Sequence, residues 1–285
     1  MTRRDIHDWT SYKITPDSKG NLDIESSELL KAIDLNKLIE FEFEGNSYFL
    51  NAERAARYHL RNSIIKIKNM VDLVEIEDPV AFDVGANCGI FAAILKDHCP
   101  NSQVFAFEPA IELQTVLEAN CAHRGVTSFD FGIGSTNCSK TLYVNPDSHQ
   151  TNSIIASNVL PFKVQKEIQK YEIQVRSVDN VVSDFQLPSP KILKVDTQGY
   201  EGHVFIGAKN TMQGIQQIFV ESSWMDVDSI TCLLPMARHY GFNNVCIINS
   251  VFAGADLMLS KNGFQNQTKQ PMIKINDDIF DKSWF

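Results

Sequence analysis

A glycine-rich turn and a later acidic residue have the types and spacing needed to bind a nucleoside. Residues 83–89 read Asp-Val-Gly-Ala-Asn-Cys-Gly and follow a short apolar run. Gly85 permits a tight turn and a close approach of a ligand to the backbone, and Gly89 lets the following helix pack against the strand. Glu108 ends the next apolar run, where a carboxylate can accept hydrogen bonds from both hydroxyls of a ribose.

The spacing of the glycines favours a cofactor with a single ribose. Gly85 and Gly89 form a G-x-x-x-G pattern, whereas dinucleotide-binding proteins carry G-x-G-x-x-G. S-adenosylmethionine therefore fits better than NAD, and a nicotinamide oxidoreductase is the least favoured alternative. Asp83 is open to two interpretations: it meets the ammonium group of the ligand through water, or it is a buried acid bonded to N–H groups of the loop.

From residue 80 onward, short apolar runs alternate with helical stretches. Buried strands are predicted at residues 80–84, 103–107, 128–134, 191–196, 217–222, 244–249 and 256–261. The helical stretches between them predict right-handed crossovers and a mainly parallel sheet, and hence an α/β fold. Because only a short loop separates the last two runs, they predict an antiparallel edge.

The chain is expected to have three parts. Residues 1–77 form a small N-terminal α+β extension, residues 78–262 the body, and residues 263–285 a tail that ends in Trp284-Phe285. Within the extension, a helix is predicted after Ser26-Ser27, and a hairpin follows. The hairpin covers residues 41–51 and turns at Gly45-Asn46. An amphipathic helix then has the apolar positions Ile64, Ile67, Val71 and Val74.

Residues 135–189 are too long for a simple crossover. Segments of this length inside a compact domain are usually functional or carry their own structure. In an open α/β sheet they lie above the carboxyl ends of the strands, where ligands bind. Asn152 and Ser153, within HQTNSI at residues 149–154, suit the polar tail of a cofactor or a sugar-like acceptor. The alternative is an ordinary polar loop.

Five segments of the chain resemble the FkbM methyltransferases. They are DVGANCGIFAAIL (83–95), FAFEP (105–109), VRSVDNVV (175–182), ILKVDTQGYEGHVFIGAKNTM (192–212) and IFVES (218–222). The resemblance covers about residues 80–222 in the same order. It implies a class I, Rossmann-like methyltransferase fold with a seven-stranded sheet and S-adenosylmethionine as cofactor.

The resemblance also implies roles for individual residues. The loop after the first strand would hold the cofactor, Glu108 would bind its ribose, and residues 133–135 would lie near its adenine. The candidate cofactor-binding residues are Asp83, Gly85, Ala86, Asn87, Gly89, Glu108, Pro109, Gly134 and Ser135. Members of the family mostly methylate hydroxyls of sugars and secondary metabolites, and some methylate nitrogen.

The acids around the fourth strand of the body are candidates for catalysis. Methyl transfer to an alcohol is helped by a base that takes the hydroxyl proton. Asp196 ends that strand, while Glu201 and His203 follow in the opening turn of a helix. These three residues are the catalytic candidates. The candidate substrate contacts are Asn152, Ser153, Gln198 and Glu221, the last at the end of the neighbouring strand.

Each of these acids and bases has an alternative role. Glu201 at a helix start is a natural capping partner, and a lone histidine such as His203 is often a structural residue. Lys194, inside a covered strand, is expected to pair with one of the acids. The carboxylates of Asp196, Glu201 and Glu221 could also hold a divalent cation. The resemblance does not demand a metal.

The overall composition narrows the classes of partner. The chain of 285 residues has a net charge of −9, which argues against broad binding to nucleic acid. No run of about 18 apolar residues predicts a membrane span. The six cysteines have neither CxxC spacing nor a histidine at zinc-ligand spacing, so we expect reduced thiols in a cytoplasmic protein. A homo-oligomer is conceivable.

The sequence therefore predicts an S-adenosylmethionine-dependent methyltransferase. The main hypothesis is methylation of a hydroxyl of a sugar, glycan or other small metabolite. The alternatives are methylation of nitrogen in an amide or peptide side chain, and a non-catalytic nucleoside-binding module.

Overall fold

A computed structural model describes most of the body and parts of the extension. The described residues are 12–14, 38–51, 60–146, 151–159, 167–223, 233, 235–251, 254–262 and 272–274. The helix predicted after Ser26-Ser27, residues 149 and 150, and Trp284-Phe285 lie outside them. Among the described residues, no helix has both the length and the apolar character needed to cross a membrane.

Fourteen strands and six α-helices are labelled here in chain order. The strands are β1 (Tyr12–Ile14), β2 (Leu38–Phe43), β3 (Asn46–Asn51), β4 (Val80–Val84), β5 (Gln103–Phe107), β6 (Thr127–Phe129), β7 (Gly132–Ile133), β8 (Cys138–Val144), β9 (Gln169–Arg176), β10 (Ile192–Val195), β11 (Gln217–Ser223), β12 (Asn244–Val251), β13 (Gly254–Ser260) and β14 (Met272–Lys274). The helices are α1 (Leu60–Val71), α2 (Ile90–His98), α3 (Gln114–Cys121), α4 (Ala156–Val159), α5 (Val178–Asp184) and α6 (Glu201–Gly207).

The main sheet has the predicted α/β architecture. Its described strands lie in the order β14-β12-β13-β11-β10-β4-β5-β6. The strands from β11 to β6 are parallel, while β13, β12 and β14 are antiparallel. The sequence predicted seven strands with an antiparallel edge, and β14 extends that edge by one more. Strand β10 is buried along its whole length, as expected for a sheet covered on both faces.

The predicted third strand, residues 128–134, is in fact two strands in two sheets. Strand β6 pairs with β5 in the main sheet, whereas β7 pairs with β9 in a small sheet of order β7-β9-β8. The chain bends at Asp130 between them. Phe129 and Phe131 both pack against Phe107, at ring distances of 5.1 and 5.8 Å, so the bend keeps both rings in the core while it redirects the backbone.

The small sheet gives residues 135–189 a structure of their own. Its antiparallel β8–β9 ladder runs from Cys138 opposite Val175 to Val144 opposite Gln169. Helix α6 packs closely on this sheet because Gly207 has no side chain. A Cβ atom there would lie 1.9 Å from the carbonyl oxygen of Gly134.

The predicted N-terminal hairpin is present, but its turn lies one residue earlier. Glu44 and Gly45 both have positive φ angles, 49° and 80°, which is typical of a two-residue hairpin turn. Strand β3 therefore begins at Asn46. The predicted amphipathic helix is α1, which ends at Val71, so Val74 lies just beyond it.

A buried asparagine joins this hairpin to the glycine loop. The side chain of Asn120 accepts a hydrogen bond from the Phe49 N–H and donates one to the Phe49 carbonyl, both at 2.8 Å. It also donates to the carbonyl of Cys88 at 2.7 Å. Nearby, Tyr48 donates to Asp97 at 2.7 Å, and Arg124 pairs with the same carboxylate at 2.8 Å. The hairpin is thus held against α2 and α3.

Candidate active site

A cavity of about 290 Å³ lies at the carboxyl ends of the central strands. Five acidic or glycine positions follow one another across it in sheet order. They are Glu108 after β5, Gly85 after β4, Asp196 after β10, Glu221 in β11 and Asp256 in β13. Neighbouring strands lie about 4.8 Å apart, so this row spans a long, narrow site. Its size is close to the lower end for small-molecule pockets.

The backbone around Gly85 forms a cradle that has no room for a side chain. Its φ is +71°, and a Cβ atom there would lie 1.9 Å from the carbonyl oxygen of Asp196. The loop is fixed from below because the N–H groups of Gly85 and Ala86 both donate to the carbonyl of Phe107, at 3.0 and 3.1 Å. Ala86 and Asn87 line the cavity. Gly89 does not, and a Cβ atom there would lie 2.7 Å from the side chain of Leu117, so this glycine gives room for α3 rather than for the strand against which it was predicted to pack the helix.

Glu108 is held at the cavity wall by two backbone donors. Its carboxylate accepts hydrogen bonds from the Asn87 N–H at 2.8 Å and the Ala110 N–H at 2.9 Å. Each carboxylate oxygen has two acceptor sites, so both retain capacity for ribose hydroxyls. Burial raises the pKa of Glu108 to about 7, against the opposing effect of the two N–H donors. Pro109 follows it and also lines the cavity.

This pKa predicts that affinity for S-adenosylhomocysteine changes near neutral pH. Above about pH 7 Glu108 is ionised and accepts hydrogen bonds more strongly than its protonated form does. We therefore expect the dissociation constant, measured by calorimetry, to be several-fold larger at pH 6 than at pH 8. This ligand has no sulfonium charge, which isolates the ribose contact. Glu108→Gln should bind weakly with no step near pH 7, and an unchanged step in that variant would contradict the assignment.

Asp83 is an internal partner of Lys194 and does not line the cavity. It is fully buried, and its carboxylate lies 3.1 Å from Nζ of Lys194. Lys194 also donates to the Gly85 carbonyl at 2.7 Å. Burial alone would lower the pKa of Lys194, but the carboxylates of Asp83 and Asp196 raise it. Asp83 is thus a buried acid, but its partner is the Lys194 ammonium group rather than the loop N–H groups of that interpretation. Of the acids predicted to pair with Lys194, Asp196 lies 3.8 Å from its Nζ atom.

Asp196 and Glu221 form a bridged carboxyl pair in the cavity wall. The side-chain amide of Gln198 donates to both, at 2.8 Å each. The charge of Asp196, with burial second, raises the pKa of Glu221 to about 8. Burial alone would raise the pKa of Asp196, but Lys194 and hydrogen bonds from its neighbours hold it below its usual value. At neutral pH the pair therefore has one ionised member, Asp196.

Lys66 and Asp256 complete this charged cluster and were not predicted from the sequence. Nζ of Lys66 lies 2.8 Å from Asp256 and 3.4 Å from Glu221. Lys66 belongs to α1, and Asp256 faces Glu221 across the β11–β13 ladder. Both residues line the cavity. The only sequence signal for Lys66 was the apolar periodicity of α1, because Lys66 is next to Ile67 on the side of the helix that faces inward.

Two of the three catalytic candidates point away from the cavity. Glu201 is buried and accepts hydrogen bonds from the N–H groups of Thr197 and Gly199, at 2.9 and 3.1 Å, which is the capping role. His203 is exposed and stacks on Tyr200 with a ring distance of 4.1 Å. Tyr200 rather than His203 lines the cavity. Asp196 is thus the one catalytic candidate placed there.

Of the remaining candidate residues, some line the cavity and others lie in the layer of residues behind its wall. Asn152 and Ser153 line the cavity, and Ser153 donates to the carbonyl of Gln198 at 2.8 Å. Gly134 and Ser135 do not line it, because β7 brings the two preceding residues, Gly132 and Ile133, to the wall instead. Gly134 packs beneath Tyr200, where a Cβ atom would lie 2.8 Å from the ring.

The donor set does not suit a metal ion. Within the described ranges, no group of three or more His, Cys, Asp or Glu side chains is arranged to hold one. Lys66 and Lys194 already lie among the carboxylates, and Glu201 faces the opposite way. A divalent cation at Glu221 and Asp256 would have to displace the Lys66 ammonium group.

The chain is similar to a hexuronic acid methyltransferase and to a 2-O-methyltransferase. It is 31% identical over 163 residues to the hexuronic acid methyltransferase AglP of Haloferax volcanii. The aligned region covers 57% of this chain and 64% of that relative. It is 25% identical over 167 residues to the 2-O-methyltransferase NoeI of Sinorhizobium fredii, covering 55% and 68%. The chain thus spans less than two thirds of the length of the haloarchaeal relative.

A family model matches the central part of the chain. A crystal structure of the FkbM methyltransferase of Methylobacillus flagellatus is 16% identical, with a TM-score of 0.46 over 66% of this chain and 45% of that one. The model of the methyltransferase FkbM domain matches residues 83–244, more than half of the chain. The family recognised from the sequence motifs is therefore confirmed. The chain belongs to the FkbM methyltransferase family.

Proposed function

We propose that this protein methylates a hydroxyl group of a sugar, glycan or secondary metabolite. The observation that carries the proposal is the row of groups across one cavity, from Glu108 and Gly85 at one end to Asp196 and Glu221 at the other. The name of one relative, a hexuronic acid methyltransferase, supports a sugar acceptor, and the name of the other, a 2-O-methyltransferase, supports methylation of oxygen.

The proposed residue roles follow the row. Glu108 accepts hydrogen bonds from the ribose, and the Gly85 loop lets the cofactor approach the backbone. The bound cofactor supplies a methyl group on a sulfonium, whose C–S bond breaks as the O–C bond to the acceptor forms. Asp196, ionised and held by Gln198, takes the proton of the acceptor hydroxyl. Asn152 and Ser153 close the wall beside Gln198.

A titration and a transfer assay together test the proposal. We expect S-adenosylmethionine and S-adenosylhomocysteine to bind with micromolar dissociation constants while NAD does not bind. Radiolabelled methyl groups should then pass to hydroxyl acceptors. Binding of NAD alone would contradict the methyltransferase assignment, and cofactor binding without transfer to any acceptor would favour a nucleoside-binding module.

Methylation of nitrogen is the second candidate. The carboxylates of Asp196, Glu221 and Asp256 could also face an amine. Matched acceptors that differ only in carrying a hydroxyl or an amino group separate the two functions, because only the preferred atom should gain the label.

A further inference from the structure

The acceptor side of the cavity can be located from the order of the strands. Glu108 and Gly85 follow β5 and β4, which places a nucleoside over that half of the sheet. Asp196 follows β10, the next strand. An acceptor in line with the methyl group must therefore lie beyond β10, over β11 and β13. This location rests on the proposed function.

Three side chains with ionisable groups line that side, and we name them the acceptor cluster: Lys66, Glu221 and Asp256. Lys66 lies 2.8 Å from Asp256 and 3.4 Å from Glu221. The side chain of Glu221 is 36% exposed and that of Lys66 28%, whereas that of Asp256 is only 4% exposed. The cluster thus presents an ammonium group and a carboxyl group side by side, with Asp256 behind them.

Such a pair matches two neighbouring hydroxyl groups. A hydroxyl can donate to Glu221 and accept from Lys66 at the same time. An apolar wall adjoins the cluster, formed by Ile64, Ile67, Met70, Phe91 and Phe219. Carbon–hydrogen faces of a sugar ring can pack on such a wall while its hydroxyls reach the charged groups.

The charges of the site select against ionised acceptors. An acidic sugar would bring its carboxylate beside the carboxylates of Asp196 and Asp256, with Asp83 buried below, against two ammonium groups. An amino sugar would bring its ammonium group beside that of Lys66. The Lys66 ammonium group already lies 2.8 Å from the carboxylate of Asp256. Like charges at this range in a partly buried site cost binding energy. A neutral acceptor avoids both conflicts.

We propose that the acceptor cluster binds a neutral sugar through two adjacent hydroxyl groups, one of which is methylated. The proposed acceptor, a neutral sugar, differs from the hexuronic acid in the name of the Haloferax volcanii relative. The proposal also gives α1 and β13 a role in acceptor choice. Lys66 and Asp256 both lie outside residues 83–244, the part that matches the family model.

The first experiment presents the protein and radiolabelled S-adenosylmethionine to an array of neutral, uronic-acid and amino-sugar glycans. We expect the label on neutral glycans that carry adjacent hydroxyls. Label confined to uronic-acid or amino-sugar glycans would overturn the proposal. So would label found only on hydroxyl acceptors other than sugars. Bound cofactor with no label on any acceptor would count against the proposed function. Failure of the cofactor to bind would instead overturn the proposed function.

The second experiment uses the labelled neutral glycan and three variants. Lys66→Met and Asp256→Asn should each raise KM about ten- to hundredfold, because a hydrogen bond to a charged group is lost, with kcat changed much less. Lys68→Met is the matched control: it lies on the same helix and pairs with Glu44 and Asp72, outside the cavity wall. Asp256→Asn keeps the Lys66 side chain but removes the carboxylate that holds it in position, so it tests the cluster should Lys66→Met fold poorly.

A deoxy acceptor supplies the decisive comparison. When the hydroxyl next to the methylated one is removed, Lys66→Met and the unchanged protein should show the same KM. A KM ratio that stays the same with and without that hydroxyl would overturn the proposal, as would an equal effect of Lys68→Met.

Discussion

Replacing Asp196 by asparagine is expected to abolish most methyl transfer while the cofactor still binds. General-base assistance is worth about 10²- to 10⁴-fold in rate, and we expect kcat to fall by that factor. The amide keeps the shape of the side chain but cannot take a proton from the acceptor hydroxyl. Asp196 is the ionised member of its pair at neutral pH because Lys194 and its hydrogen-bonding neighbours hold its pKa low.

The measurement is steady-state methyl transfer, with calorimetric titration of S-adenosylhomocysteine on the same preparation. Asp184→Asn is a suitable control because Asp184 is exposed and pairs with Arg176 at 3.4 Å, away from the cavity wall. Its activity should match that of the unchanged protein. Full activity of Asp196→Asn would remove this residue from the mechanism.

Replacing Gly85 by alanine should weaken cofactor binding strongly and lower the melting temperature. The added Cβ atom would lie 1.9 Å from the backbone oxygen of Asp196, and backbone cannot swing aside as a side chain can. The loop or the end of β10 must shift, which disturbs both the nucleoside end of the cavity and the base. We expect affinity for S-adenosylhomocysteine to fall by more than about tenfold, or 1.4 kcal/mol.

Gly125→Ala is the matched control for this substitution. Gly125 has the same φ of +71°, but a Cβ atom there would meet nothing within 4 Å. Both variants therefore carry the strain of a left-handed residue, about 1–2 kcal/mol. Only Gly85→Ala adds the overlap with Asp196. If both variants bound S-adenosylhomocysteine equally well, the cradle would have no part in cofactor binding.

The sequence predicted the parts of the site that depend on strand ends. Gly85, Glu108 and Asp196 each follow a buried apolar run, and parallel strands bring such ends to one edge. Lys194 was expected to pair with an acid because its strand is covered on both faces. These predictions needed only the order of the elements and the burial of each strand.

The sequence alone did not predict the direction in which individual side chains point. Glu201 and His203 are close to Asp196 in the chain, yet the turn before α6 points one toward backbone N–H groups and the other toward solvent. Lys66 and Asp256 meet at the cavity because α1 packs against α2 and β12, contacts between segments far apart in the chain. The bend at Asp130 likewise depends on pairing with the distant β9.

The hydrogen bonds of Asn120 bear on how the protein can be shortened. One buried amide joins the backbone of Phe49 in the hairpin to the carbonyl of Cys88 in the glycine loop. A fragment that began at the start of the matched region would leave that amide without two of its partners and would uncover the apolar faces of α2 and α3. The start of the family match is therefore a poor place to cut the chain, and a stable fragment should retain the hairpin.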